Sequence, residues 1–147
     1  MSLEKKLMED LKTSMKNKDT IRKNTITLVR AAIKQIEVDE RREVSQDEIM
    51  EIISKQLKEK RLAIEDFEKG NRQDLIDLTN KEMDILLEYL PKQLTEEEVE
   101  LIVEETIAEI GASSMKDIGL MMKSVMPKVK GRTDGNIVSK IVKNKLT

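Results

Sequence analysis

Residues 111–144 read GASSMKDIGLMMKSVMPKVKGRTDGNIVSKIVKN, and two helical periods inside this stretch decide the fold class. Ile118, Met122, Val125 and Met126 recur at i, i+4, i+7 and i+8, the spacing of one helix face. Ahead of them stands Ser114-Met-Lys-Asp117, a hydroxyl with a carboxylate three residues on, which is a helix-start signature. Ile137, Val138, Ile141 and Val142 repeat the pattern behind Thr133 or Asp134, either of which suits an N-cap. Pro127 is expected to end the first of these helices. Gly119 lies within it at a cost of about 1 kcal/mol relative to Ala, which predicts close approach of a neighbouring helix. The methionines Met115, Met121, Met122 and Met126 read as core filling.

Working outward, the same punctuation runs back through the chain. Thr95-Glu-Glu-Glu98 is a capping box, followed by a stripe of Val99, Ile102, Val103, Thr106 and Ile110 that Gly111 stops. Leu90-Pro91-Lys92-Gln93 is the best boundary, because a proline disfavours helix in the residue before it. Before that boundary four helices are expected, over about residues 2–16, 20–39, 45–69 and 71–90. Their apolar stripes are Leu3, Leu7, Met8 and Leu11; Ile26, Val29, Ile33 and Ile36, widened by Leu28 and Ala32; Ile49, Ile53, Leu57, Ile64 and Phe67; then Leu75, Leu78, Ile85, Leu86, Tyr89 and Leu90. Ser2 and Ser45 are their clearest caps, Gly70 is a stop, and Asn71-Arg-Gln-Asp74 restarts the chain with the same capping pattern. No strand pattern competes. The expectation is an all-α protein, with a four-helix unit over residues 1–92 and a three-helix tail over residues 93–147.

Composition narrows the function classes. Apolar and charged residues are each 38% of the 147, with one Tyr, one Phe and no Trp. Such a mix suits amphipathic helices and argues against sandwiches and barrels, whose strands favour aromatics. It also argues against base stacking on aromatic platforms. There is no Cys and no His, so disulfides, thiolate metal sites and the usual general base are excluded. The carboxylates stand at caps or on charged faces, and neither a nucleophile elbow nor a phosphate-binding P-loop is present. No catalytic residue, metal or cofactor is expected. The opening residues lack the apolar core of a signal peptide, and no apolar run approaches the ~20 residues of a membrane span. The expected compartment is the cytoplasm, with no membrane partner.

The net charge is −2, but it is laid down in blocks. Residues 95–110 hold seven Glu and no Lys or Arg, while residues 111–147 hold eight Lys or Arg and two Asp. Lys128, Lys130 and Arg132 fall within five residues, among Gly131 and Gly135 and just before a helix start. Glycines permit close backbone approach, and a helix N-terminus offers free N–H groups, so phosphate fits such a place. A plain tight turn fits it equally. Lys116, Lys123, Lys140 and Lys143 would extend the patch. In the second helix Lys23, Arg30 and Lys34 share a face, read as ordinary solvated surface.

Three runs then carry a resemblance: EYLPKQLTEEE at residues 88–98, GASSMKD at 111–117 and MPKVKGRTDG at 126–135. With Leu28-Val-Arg30-Ala and Asn71-Arg-Gln-Asp-Leu75, this ordered set resembles the bacterial YqeY-like family, the stand-alone GatB/YqeY group. The resemblance implies a helical N-terminal domain joined to a smaller helical tail. It also implies likeness of that tail to the tail domain of the B subunit of the glutamine-dependent aspartyl/glutamyl-tRNA amidotransferase, which helps to hold tRNA. Carried over, Lys128, Lys130, Gly131, Arg132 and Gly135 become candidate contacts to RNA backbone, and no DNA partner is expected. Thr133 stands where the family pattern has a small residue. The kinase-like cradle and ammonia channel of the amidotransferase are not encoded in these residues. The expected function is therefore a non-catalytic, tRNA-associated protein. The alternative is a protein-interaction module or accessory of the amidotransferase or of a synthetase.

Overall fold

The computed structural model describes residues 2–147, and it is helical throughout, with no strand among those residues. Seven α-helices follow in order: α1 Leu3–Lys16, α2 Thr20–Glu40, α3 Gln46–Lys69, α4 Gln73–Leu87, α5 Glu96–Ile110, α6 Ile118–Val129 and α7 Gly135–Leu146. A 3-10 turn, Met115–Asp117, precedes α6. The chain divides into two compact units, the first ending at Leu90 and the second running Pro91–Thr147.

In the first unit α1 to α4 close around Leu7, Ile26, Val29, Ile33, Ile49, Ile53, Leu57 and Leu86. The caps at Ser2 and Ser45 form, the latter with its reciprocal bond to Glu48. Other expectations are corrected. Leu28 and Leu78 are exposed, because α2 and α4 bury narrower stripes than their apolar content suggests. The left-handed residue after α3 is Asn71 (φ 54°) and not Gly70 (φ −89°). The start of α4 has no side-chain cap; Arg72 instead pairs with Asp74 at 3.0 Å. The last turn of α4 unwinds at Leu87, three residues earlier than Pro91 requires, and Tyr89 turns inward. Its hydroxyl donates to Asp10 Oδ2 at 2.5 Å. Burial, and then that bond, raise the Tyr89 pKa above the usual phenol value. Beside it Arg22 forks onto Glu88, so this charged corner is internally satisfied.

The second unit is a three-helix bundle in which α5, α6 and α7 pack pairwise over Val99, Val103, Met121, Val125, Val129, Val138 and Val142. Here the proline expectation fails: α6 runs through Pro127 to Val129. Val125 and Val129 are both fully buried, and burying one such side chain is worth about 1.5–3 kcal/mol. That offsets a proline in the final turn, where only one intrahelical bond is lost. The neighbour expected at Gly119 is absent, since a Cβ there would meet nothing within 4 Å. Of the methionines, Met121 is the fully buried one, whereas Met115 is 42% exposed.

Candidate nucleic-acid interface

The loop between α6 and α7 is first a piece of architecture. The Arg132 N–H donates to the Val129 carbonyl at 2.9 Å, closing a turn that needs Gly131 at φ 73°. The segment before α5 stitches itself to that turn. Gln93 Nε2 donates to the Gly131 carbonyl at 2.8 Å, the Leu94 N–H to the Arg132 carbonyl at 2.8 Å, and Arg132 Nε to the Lys92 carbonyl at 3.1 Å. Asp134 caps α7 by accepting from the Asn136 N–H at 2.8 Å. Gly135 has neither a positive φ nor a crowded Cβ position; its nearest neighbour would be Met126 Cε at 3.7 Å. Gly131 is therefore required by backbone geometry and Gly135 is not, although the sequence made them look alike.

The cations of the tail fall into three groups. Lys128 projects from α6 onto α5, where its Nζ donates to Thr106 Oγ1 at 2.9 Å and to Glu109 Oε2 at 2.8 Å. Lys145 reaches α5 from α7 and meets Glu104 at 2.7 Å, a bond that raises its pKa. Part of the charge contrast between residues 95–110 and 111–147 is thus neutralised inside the bundle. Lys130 is exposed at the end of α6. Arg132 is half-buried and keeps its terminal nitrogens without a partner among the described residues.

Lys116, Lys123, Lys140 and Lys143 differ from Lys128 and Lys145. All four are exposed and none makes an ion pair or hydrogen bond with a described residue. Helical geometry relates them. Successive residues turn by about 100°. On α6, Lys128 marks the side facing α5, and Met126, under Gly135, marks the side facing α7. Lys123 lies about 60° beyond Met126 and about 140° from Lys128, so it borders the α7 side. On α7, Lys143 lies about 80° from Gly135, and Lys140 about 60° further out. The 3-10 turn carrying Lys116 packs against both α6 and α7. The four lysines therefore line the outer side of the α6–α7 pair. Its far end, with Lys116 and Lys143, is roughly 12 Å along α7 from the loop that sequence reading favoured.

Sequence reading missed two neighbours of this patch. Leu120, 52% exposed, lies between Lys116 and Lys123 on the outward face of α6, and Met115 is also exposed. The spacing of Lys116, Leu120 and Lys123 at i, i+4 and i+7 is the signal that marks them. Among the described residues no group of three or more His, Cys, Asp or Glu is placed to hold a metal ion, and no helix is long and apolar enough to cross a membrane.

The chain matches the family described as "Yqey-like protein" over residues 4–146. It is 30% identical over 126 residues to Altered inheritance of mitochondria protein 41, mitochondrial, of Lachancea thermotolerans, covering 84% of this chain and 66% of that one. The protein of the same name from Pyrenophora tritici-repentis is 28% identical over 138 residues, 92% of this chain and 76% of the relative. A shorter match, 40% identical over 57 residues, joins 36% of this chain to 9% of a Glutamyl-tRNA(Gln) amidotransferase subunit of Thermococcus gammatolerans. The chain spans about two thirds of the Lachancea relative and about three quarters of the Pyrenophora one. The sequence resemblance is to a bacterial group; these relatives are fungal and named for mitochondria, so the likeness is broader than bacteria.

Proposed function

The chain belongs to the Yqey-like protein family, and from that premise we propose that its second unit binds the phosphate backbone of tRNA without itself catalysing a reaction. The observation that carries this reading is the set of four exposed, unpartnered lysines, Lys116, Lys123, Lys140 and Lys143, along one helix pair. The part-length match to a subunit whose name specifies glutamyl-tRNA(Gln) supports the choice of RNA. In this reading the free lysines carry the contact. Lys130 and the outer nitrogens of Arg132 add to it, while Lys128 and Gly131 shape the bundle and Gly135 is not needed for either role. Both the cytoplasm and mitochondria contain tRNA, so the proposal stands in either compartment.

Four phosphate contacts predict a slope of roughly −3 to −4 in log affinity against log salt. Between 50 and 200 mM salt this is a loss on the order of 100-fold. Bulk tRNA binding would be titrated across that range with wild type and a quadruple variant, Lys116→Gln, Lys123→Gln, Lys140→Gln, Lys143→Gln. The variant should bind weakly and with a much shallower salt slope, the remainder coming from Lys130 and Arg132. Absence of binding at low salt, or equal binding by both proteins, would sink the proposal. A second reading, a docking surface for an amidotransferase or synthetase, rests on exposed Leu120 and Met115. It predicts binding of such a protein that Leu120→Gln removes and salt barely changes.

A further inference from the structure

The first unit holds a second feature that the tail does not explain. Between α1 and α2 lies an open groove of about 340 Å³. Its floor is the buried Leu11 and Ile33, and Arg30, Lys34 and Glu37 from α2 line it together with Glu4 from α1. Three arginines in the described residues are half-buried, Arg22, Arg30 and Arg132. Arg22 is held by Glu88 and Arg132 by the Lys92 carbonyl. Arg30 makes no hydrogen bond or ion pair with any described residue. A guanidinium carries five N–H donors in a fixed fork, and those of Arg30 remain open to solvent beside the groove, where a ligand can reach them. Lys34, one turn further along the same face, is exposed and equally unpartnered.

We infer that this groove is an oxyanion site, in which Arg30 is the principal donor and Lys34 adds charge, for a small ligand bearing a carboxylate or a phosphate. The fork of Arg30 fits either group in bidentate fashion. The volume is at the small-ligand end of the usual pocket range of about 300–1,000 Å³. Glu4 and Glu37 oppose a long polyanion, so an RNA strand is a poor occupant and a compact ligand a good one. The apolar floor would meet its carbon part.

The test follows the Arg30 side-chain Nε–Hε resonance in the full chain, labelled with nitrogen-15, as inorganic phosphate and, separately, N-acetylglutamate are added. At least one probe should give a saturable shift. The shift should vanish in Arg30→Met, which keeps the stem over Leu11 and Ile33, and weaken several-fold in Arg30→Lys, which keeps the charge and loses the fork. Lys34→Gln provides a weakened site with Arg30 intact, should Arg30→Met fail to fold. Tighter binding of phosphate assigns the ligand to phosphate esters, and tighter binding of N-acetylglutamate assigns it to carboxylic acids. The proposal is overturned if neither probe saturates by ~20 mM, well above a millimolar dissociation constant, or if the Arg30→Met protein responds as the wild type does. Displacement of a bound probe by tRNA would overturn the small-ligand assignment.

Discussion

Replacing Lys128 with Met tests whether the most conspicuous cation of the tail serves the bundle or a ligand. The ammonium bridges two acceptors on α5, Thr106 Oγ1 at 2.9 Å and Glu109 Oε2 at 2.8 Å. The ion pair is solvated, with the Lys128 side chain 36% exposed and that of Glu109 60%, so it is worth about 0–1 kcal/mol. The bond to Thr106 matters more. Thr106 is fully buried, and its own proton goes to the Ile102 carbonyl, so without Lys128 its oxygen accepts no hydrogen bond. A bond of this kind contributes about 0.5–1.5 kcal/mol. Methionine keeps the apolar stem, so Lys128→Met should cost about 1–2 kcal/mol in total. For a unit of this size melting cooperatively, each 1 kcal/mol lowers the midpoint by about 4–8 °C. Thermal and urea melts would measure it, with Glu109→Gln as the control that removes only the ion pair and costs ~1 kcal/mol or less. Binding of tRNA by folded Lys128→Met should change less than it does in Lys123→Gln. Unchanged stability together with a larger loss of tRNA affinity than in Lys123→Gln would make Lys128 a ligand contact and not a bundle contact.

The two loop glycines should separate sharply. Gly131→Ala forces a side chain into the left-handed region and should cost about 1–2 kcal/mol, whereas Gly135→Ala, unstrained and with Met126 Cε at 3.7 Å, should be neutral or stabilising by about 0.4–1 kcal/mol in urea melts. Equal costs would show that the turn is not set by Gly131. Acid stability should depend on Glu48, whose carboxyl is held down to about 2 by hydrogen bonds from Arg42 and then from the Ser45 N–H. Its unfolded value is about 4.3, so the folded pKa is the lower one. The contribution is complete above the unfolded value and is lost as pH falls toward 2. Glu48→Gln should flatten the acid limb of the stability profile, and an unchanged slope between those two pH values would count against the pairing.

The helices were legible because their signals are local. Ser45 with Glu48 and Thr95 with Glu98 close both halves of their capping boxes, and four residues of sequence contain all that this requires. What the sequence withheld depends on packing between elements. Pro127 reads as a stop until Val129 is seen in the core. Lys128 and Arg132 read as one cluster with Lys130, yet their partners stand 19 and 40 residues away in the chain, on Glu109 and Lys92. Arg30 falls on a solvent face by periodicity, and only the placement of α1 against α2 half-buries it. A lysine or arginine has a long flexible stem, so sequence position fixes where its charge begins and packing fixes where it ends.

The same packing converts the charge blocks into an orientation. Because α5 contacts both α6 and α7, the outer side of the α6–α7 pair faces away from it. On α5 the exposed outer residues include Glu97 and Glu105, while the opposite side carries the four unpartnered lysines. Two layers of helix separate these surfaces, roughly 20 Å at about 10 Å per helix. The screening length at physiological ionic strength is only ≈ 8 Å. Each side therefore acts on an approaching polyanion almost independently of the other, and the net charge of −2 says little about binding. A phosphate backbone should be repelled from the α5 side and held on the α6–α7 side. Reversing Glu97 and Glu105 to Lys should then strengthen tRNA binding far less than neutralising Lys123 and Lys143 weakens it.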